Sequence, residues 1–342
     1  MKARAWLVLC AWLAVATFSA PATPCGAFAT RASRTVPNVA VEQTMIVFDP
    51  EREQEHFVRE LAIRDPGPGF GFVIPVPERP VVAKVEIGPF DRLARTFPVG
   101  SRFSLGGVDK GSGGGNSAAA PVSVLSHEKV GSFTAFVLAA SDANALQKWF
   151  SDNQLLVPPE TQAWLTQYVK LRFYLVALRY EAQEIDQKST TWRGETVRIS
   201  FKSALPFYPY REPTPPTPNA APRELAVWLV SQRMYTPVSL FEPGTTAQAG
   251  AASQWKRPWL EYEAGIVDRE SMAAALSEEL MKLLPFAAGR GRITLQVFED
   301  QKRSRAGFGD IVMVPRDPTA LTGSTLTRSR KLMALLDPAV TP

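Results

Sequence analysis

Residues 69–80 read GFGFVIPVPERP, and the fold turns on how that stretch is taken. Val73, Ile74 and Val76 offer the apolar surface of a buried strand, while Pro75 and Pro77 lack the N–H that a central strand must donate. Such a segment belongs on a sheet edge, or leaves the sheet as extended chain. Proline there also blunts an otherwise adhesive edge. The rival role is a rigid apolar ridge for a partner.

Working outward, DPGPG at 65–69 forces a turn before the stretch. Residues 43–49 and 55–63 alternate apolar and polar positions around the turn-rich DPEREQ, which predicts a hairpin with one wet face. Further strands are expected at 121–127, 132–139, 171–180, 195–202, 225–233, 292–298 and 310–314. Ser141 and Asp142 precede a helix carrying Leu146, Trp149 and Phe150 on one face. A second helix starts near Pro158 and Pro159, and a third covers 269–284, with Pro285 stopping it. Strands without regular βαβ alternation give an α+β class: mainly antiparallel sheets, about three helices and proline-bordered edge strands.

The N-terminus reads as an export leader. Lys2 and Arg4 precede an uncharged apolar run from Ala5 to about Ala20, too short to span a bilayer. Cleavage after Ala22, with Ala20 at −3, fits the demand for small residues, whereas Pro21 disfavours cleavage after Ala20. The division expected is therefore a signal peptide at 1–22, an N-terminal α+β domain at 23–205, a proline-rich connector at 206–222, and a C-terminal part at 223–342 in a domain of its own or in the same one. A Gly/Ser/Ala tract at 106–121 reads as a flexible joint. Localisation follows: exported, to the periplasm, the surface or the medium, with no membrane span after leader removal. Of the two cysteines only Cys25 outlasts cleavage, an unpaired thiol that cannot form an internal disulfide.

The order of motifs resembles the bacterial exported family known as domain of unknown function 2330. The residues that carry the likeness are Cys25-Gly26-Ala27-Phe28, then Phe70 to Pro77, Val122 to Leu125, Val130-Gly131-Ser132-Phe133, Asp142 to Trp149 and Phe173 to Arg179. It covers roughly residues 25–240 and departs at Gly71, where the family carries a larger residue, and in the glycine-rich tract. The resemblance implies an exported bacterial protein and no particular activity.

The chemistry in the sequence is sparse. The formal net charge of +5 comes from basic residues scattered among acids, which is not a nucleic-acid footprint. His127 lies in Ser126-His127-Glu128, but strand neighbours point to opposite faces and make a poor nucleophile–base pair. His56 needs no explanation beyond solvent exposure. With two histidines and one mature cysteine, no zinc or redox cluster is expected, and no phosphate loop, dinucleotide fingerprint or calcium loop is present. No cofactor is expected, and no catalytic residue is assigned.

Residues 254–263, QWKRPWLEYE, hold the two remaining candidates. Trp255, Arg257 and Trp259 would form a ligand surface for an anionic envelope glycan by stacking and charge. Glu261 and Glu263 share one strand face and would serve a carboxylate-dependent hydrolase if buried beside Asp300 or Asp310. The expectation is an exported, non-catalytic binding or envelope-associated module, with glycan or another exported protein as partner; an exported hydrolase acting on glycans is the alternative.

Overall fold

A computed structural model describes residues 27–30, 38–64, 69–99, 123–130, 133–139, 143–181, 191–213, 224–241, 255–256, 259–287, 291–300 and 308–336. The expected leader, Cys25, Arg257 and the glycine-rich tract lie outside them.

The largest sheet has eight strands. From one edge it runs β15 (Leu260–Val267), β16 (Ile293–Asp300), β12 (Glu224–Ser231), β2 (Asn38–Asp49), β3 (Gln54–Arg64), β10 (Val197–Lys202) and β5 (Val81–Lys84), with β9 (Thr191–Arg193) also on β3. It is mixed, because β12 runs parallel to β2 while its other neighbour, β16, is antiparallel. Strands from both sides of residues 206–222 thus share its centre. A second sheet orders β1 (Ala27–Thr30), β4 (Gly69–Val76), β8 (Tyr174–Glu181), β7 (Phe133–Ala139) and β6 (Ser123–Val130). The third orders β11 (Phe207–Tyr208), β17 (Phe308–Pro315), β13 (Tyr235–Phe241) and β14 (Trp255–Lys256).

Period-two alternation explains why the central strands are buried on both faces. Met45 and Val47 of β2 face one core, with Val58, Trp228, Val230, Leu295 and Val297. That core is closed by Phe90 and Leu93 of α1 (Phe90–Thr96), Met272 and Ala275 of α4 (Arg269–Ala275), and Leu280 of α5 (Glu278–Met281). Ile46 and Phe48 face the other way, into a larger core shared with the second and third sheets. There Trp149 of α2 (Ala143–Asp152) meets Phe136 edge-on at 5.2 Å, and Trp164 of α3 (Pro159–Lys170) meets Tyr168 at 4.8 Å. Leu332 and Leu336 of α6 (Gly323–Leu336) also enter it.

These findings correct the expected class. The chain is mostly β, its largest sheet is mixed, and six α-helices stand among the described residues, not about three in mainly antiparallel surroundings. The helix expected over 269–284 is two: Leu276 is extended, and the Ser277 side chain caps a new start by accepting from Leu280 N, just as Asp268 caps α4 by accepting from Ser271 N. A continuous apolar pattern hid that interruption. The quoted stretch is not simply an edge either. β4 lies between β1 and β8; among the described residues β1 pairs with Phe70–Val73 and β8 with Gly69–Val76. Pro75 is paired in register with Leu175 of β8, and Pro77 follows the end of β4. Gly71 is explained by packing: a Cβ there would lie 3.0 Å from Leu155 Cδ1 and 3.6 Å from Ala29 Cβ.

Candidate functional site

Past the end of β4 the quoted stretch enters the wall of an open cleft of about 420 Å³, to which Pro77 and Glu78 contribute. The β2–β3 turn forms a second wall. Asp49 Oδ1 accepts from Glu51 N at 3.0 Å and Arg52 N at 3.1 Å, a side-chain mimic of a backbone turn, and the turn ends on Glu53 with φ 48°. A third wall is the end of α3, where Phe173 N donates to Tyr168 O at 3.0 Å and Arg172 N to Val169 O at 3.0 Å. That closure favours glycine at its left-handed position, yet Arg172 occupies it at φ 60°. The fourth wall is α6, whose Arg328, Lys331, Leu332 and Leu335 recur at spacings that share one helix face. Leu171, Tyr174 and the β10 end, Lys202 to Ala204, complete it.

The lining holds four cations, Arg172, Lys202, Arg328 and Lys331, against two carboxylates, Glu53 and Glu78. Arg328 is engaged with Glu53 through two contacts of 2.6 Å. Burial pushes the Glu53 carboxyl up, but hydrogen bonds from Arg328 and Thr325 and the Arg328 charge hold it below the usual value. Lys202 Nζ donates to Arg52 O at 2.8 Å. Arg172 and Lys331 are exposed, and neither makes an ion pair among the described residues. The result is an apolar recess with two uncommitted cations at its mouth. Sequence reasoning missed these residues. Two signals were available: the amphipathic spacing within TRSRKLMALL, and an arginine following a helix end that glycine would ordinarily occupy.

The residues singled out from the sequence lie elsewhere. Trp259 is buried, edge-on to Tyr208 at 5.3 Å and Tyr210 at 5.5 Å, so its faces are spent on the core. Trp255 lies in β14, paired in register with Leu240 of β13. Glu261 and Glu263 both lie in β15, and Glu261 accepts from Gln296 Nε2 at 2.6 Å and from the Arg316 guanidinium. Asp300 accepts from the Tyr210 hydroxyl at 2.7 Å; Asp310 accepts from the Tyr168 hydroxyl and from Arg211 N, both at 3.0 Å. Burial raises the Asp310 carboxyl, against the opposing Arg211 charge. His127 lies in β6. His56 corrects its solvent-exposed reading: Nδ1 lies 2.8 Å from Ser200 Oγ, and burial, aided by Arg198, lowers its pKa to about 4.

A second charged region is wholly internal. Arg59 lies across β2 from Thr44, its Nη2 is 3.0 Å from Glu42 Oε1, and its guanidinium sits 4.2 Å from the centre of the Phe72 ring. The Tyr208 hydroxyl also donates to Glu42 Oε1. Nearby on the same face of β3, Glu55 Oε2 accepts from Phe207 N at 2.8 Å, and complete burial drives this carboxyl well above its ordinary range. For Arg59 and Glu42 the ion pair and the ring stacking offset part of the water they lose. Among the described residues no group of three or more His, Cys, Asp or Glu side chains is placed to hold a metal, and no helix is long and apolar enough to cross a membrane.

Comparison with known proteins supplies a family and little else. A family model described as an uncharacterized protein conserved in bacteria, domain of unknown function 2330, matches residues 19–281. It extends beyond the 25–240 span of the sequence resemblance, through β15, α4 and α5. Comparison with curated proteins gives no match. Among solved structures, the chain is similar to the crystal structure of baculovirus P35 at 8% identity and a TM-score of 0.29, covering 82% of this chain and 91% of that one. A likeness that low carries no argument about fold or function.

Proposed function

The chain belongs to the bacterial family of domain of unknown function 2330, and from that premise we propose that it is an exported, non-catalytic binding module whose ligand seats in the cleft beside the β2–β3 turn. The observation that carries this reading is the cleft itself, an apolar recess of small-molecule size with uncommitted cations at its mouth. Its export rests on the leader pattern at 1–22, cleaved after Ala22. The hydrolase reading loses ground because three of its candidate carboxylates are already engaged: Glu261 by Gln296 and Arg316, Asp300 by Tyr210, and Asp310 by Tyr168 and Arg211. Envelope molecules are the natural source of a ligand for a protein working outside the cytoplasm.

The test is native mass spectrometry of the protein recovered from the exported fraction of its host. A processed N-terminus at residue 23 and a small-molecule adduct are expected, with the adduct lost when Leu335→Trp fills the recess. An unprocessed chain in the cytosol defeats the export reading, and an adduct indifferent to Leu335→Trp, or none, defeats the cleft.

A further inference from the structure

We propose that the cleft selects a small amphipathic anion, a carboxylate or phosphate head group on a short apolar body. The inference rests on the cleft being the binding site and adds the class of ligand. Of its four cations, Arg328 is committed to Glu53 and Lys202 to the Arg52 carbonyl, which leaves Arg172 and Lys331. Both are exposed and make no ion pair among the described residues. Glu78 is the one lining carboxylate outside the Arg328 pair, so cations outnumber acids at the mouth. Leu171, Leu332 and Leu335 give the recess its apolar wall.

Arg172 is the more informative cation. It holds φ 60° at a position where glycine is easiest, and Glu53, the other left-handed residue of this cleft, lies on the hairpin turn. Unfavourable backbone conformations persist where a side chain is used. An arginine there presents a planar fork that fits a carboxylate or phosphate with two hydrogen bonds. Lys331 adds a second, mobile charge. A neutral head group would leave both cations without gain, and a cationic one would be repelled.

The test is calorimetric titration of the exported chain with sodium octanoate, octyl phosphate, octanol and inorganic phosphate. Saturable one-to-one binding of octanoate or octyl phosphate is expected, at least about tenfold tighter than octanol or inorganic phosphate. Arg172→Gln with Lys331→Gln should weaken the anions by about tenfold or more and leave octanol unchanged, with the unfolding midpoint confirming an intact fold. The stronger of the two amphiphiles identifies the head group. Octanol binding as tightly as octanoate, or anion affinities unmoved by the double variant, overturns the proposal. If Leu335→Trp then abolishes octanol binding, the cleft survives as a ligand site and only its charge selection fails. Absence of binding by either anion also overturns the proposal, and the host-derived adduct decides the cleft reading separately.

Discussion

Arg59 pairs with a carboxylate and Arg172 shares a cleft lining with two, and the molecule treats them in opposite ways. Arg59 is enclosed between sheets, paired to Glu42 and laid on the Phe72 ring. Arg172 is exposed at a cleft mouth, held by a backbone turn and by no ion pair among the described residues. Burial converts charge into a structural obligation, because an interior charge that loses its partner cannot recover it from water. At the mouth, water stabilises the charge in place of a protein partner. Asp300 and Asp310, which looked chemical in the sequence, are buried as Arg59 is, and the binding chemistry we propose is assigned to Arg172.

The sharpest way to break that comparison is to truncate each arginine. Arg59→Ala should lower the unfolding free energy in urea by about 3–5 kcal/mol, since it strands Glu42 in the core. Arg172→Ala should stay within about 0.5 kcal/mol of the parent. Equal effects would erase the distinction.

Glu55 sharpens the internal half through pH. Its folded pKa is raised above the ordinary 4.5 by burial, so its stabilising contribution is complete below that value and is lost as pH rises toward the folded pKa. The decline is at most about 1.4 kcal/mol per pH unit for one proton. Glu55→Gln should flatten this decline in unfolding titrations run from acid to neutral pH. An unchanged slope would mean that Glu55 is not driven toward its neutral form.

Packing around the quoted stretch gives a smaller effect. Gly71→Trp should destabilise by about 1–3 kcal/mol, because Leu155 already fills the space a side chain needs. In a double-mutant cycle with Leu155→Ala the two losses should be less than additive. Full additivity would show that Leu155 is not the obstacle. The smallest effect is at the cleft: Arg172→Gly relieves the left-handed backbone and should raise stability by up to about 1 kcal/mol while weakening ligand binding. A loss of stability would show that the side chain is structural.

Much of the fold was legible because it follows from periodicity. Alternation marked β2 and β3, the Ser141–Asp142 start marked α2, and Pro158–Pro159 marked α3. What failed was long-range or conditional. Nothing local tells β12 to lie parallel to β2, and GFGFVIPV carries no sign that β4 is flanked by β1 as well as by β8. Ser277, whose side chain caps the start of α5, lies inside an apolar run that reads as one helix. Trp259 was read as ligand surface because its partners, Tyr208, Tyr210 and Phe298, are distant in sequence. The cleft was missed for the same reason, since it joins a hairpin turn, a helix end and the last helix, none of which adjoins another in the chain.

The most direct test of the account is where a ligand lands. Amide and methyl chemical-shift mapping with octyl phosphate should move signals of Leu171, Arg172, Leu332 and Leu335 and leave those of Trp259 and Glu261 in place. Shifts centred on Trp259 and Glu261, with the α6 signals still, would contradict it.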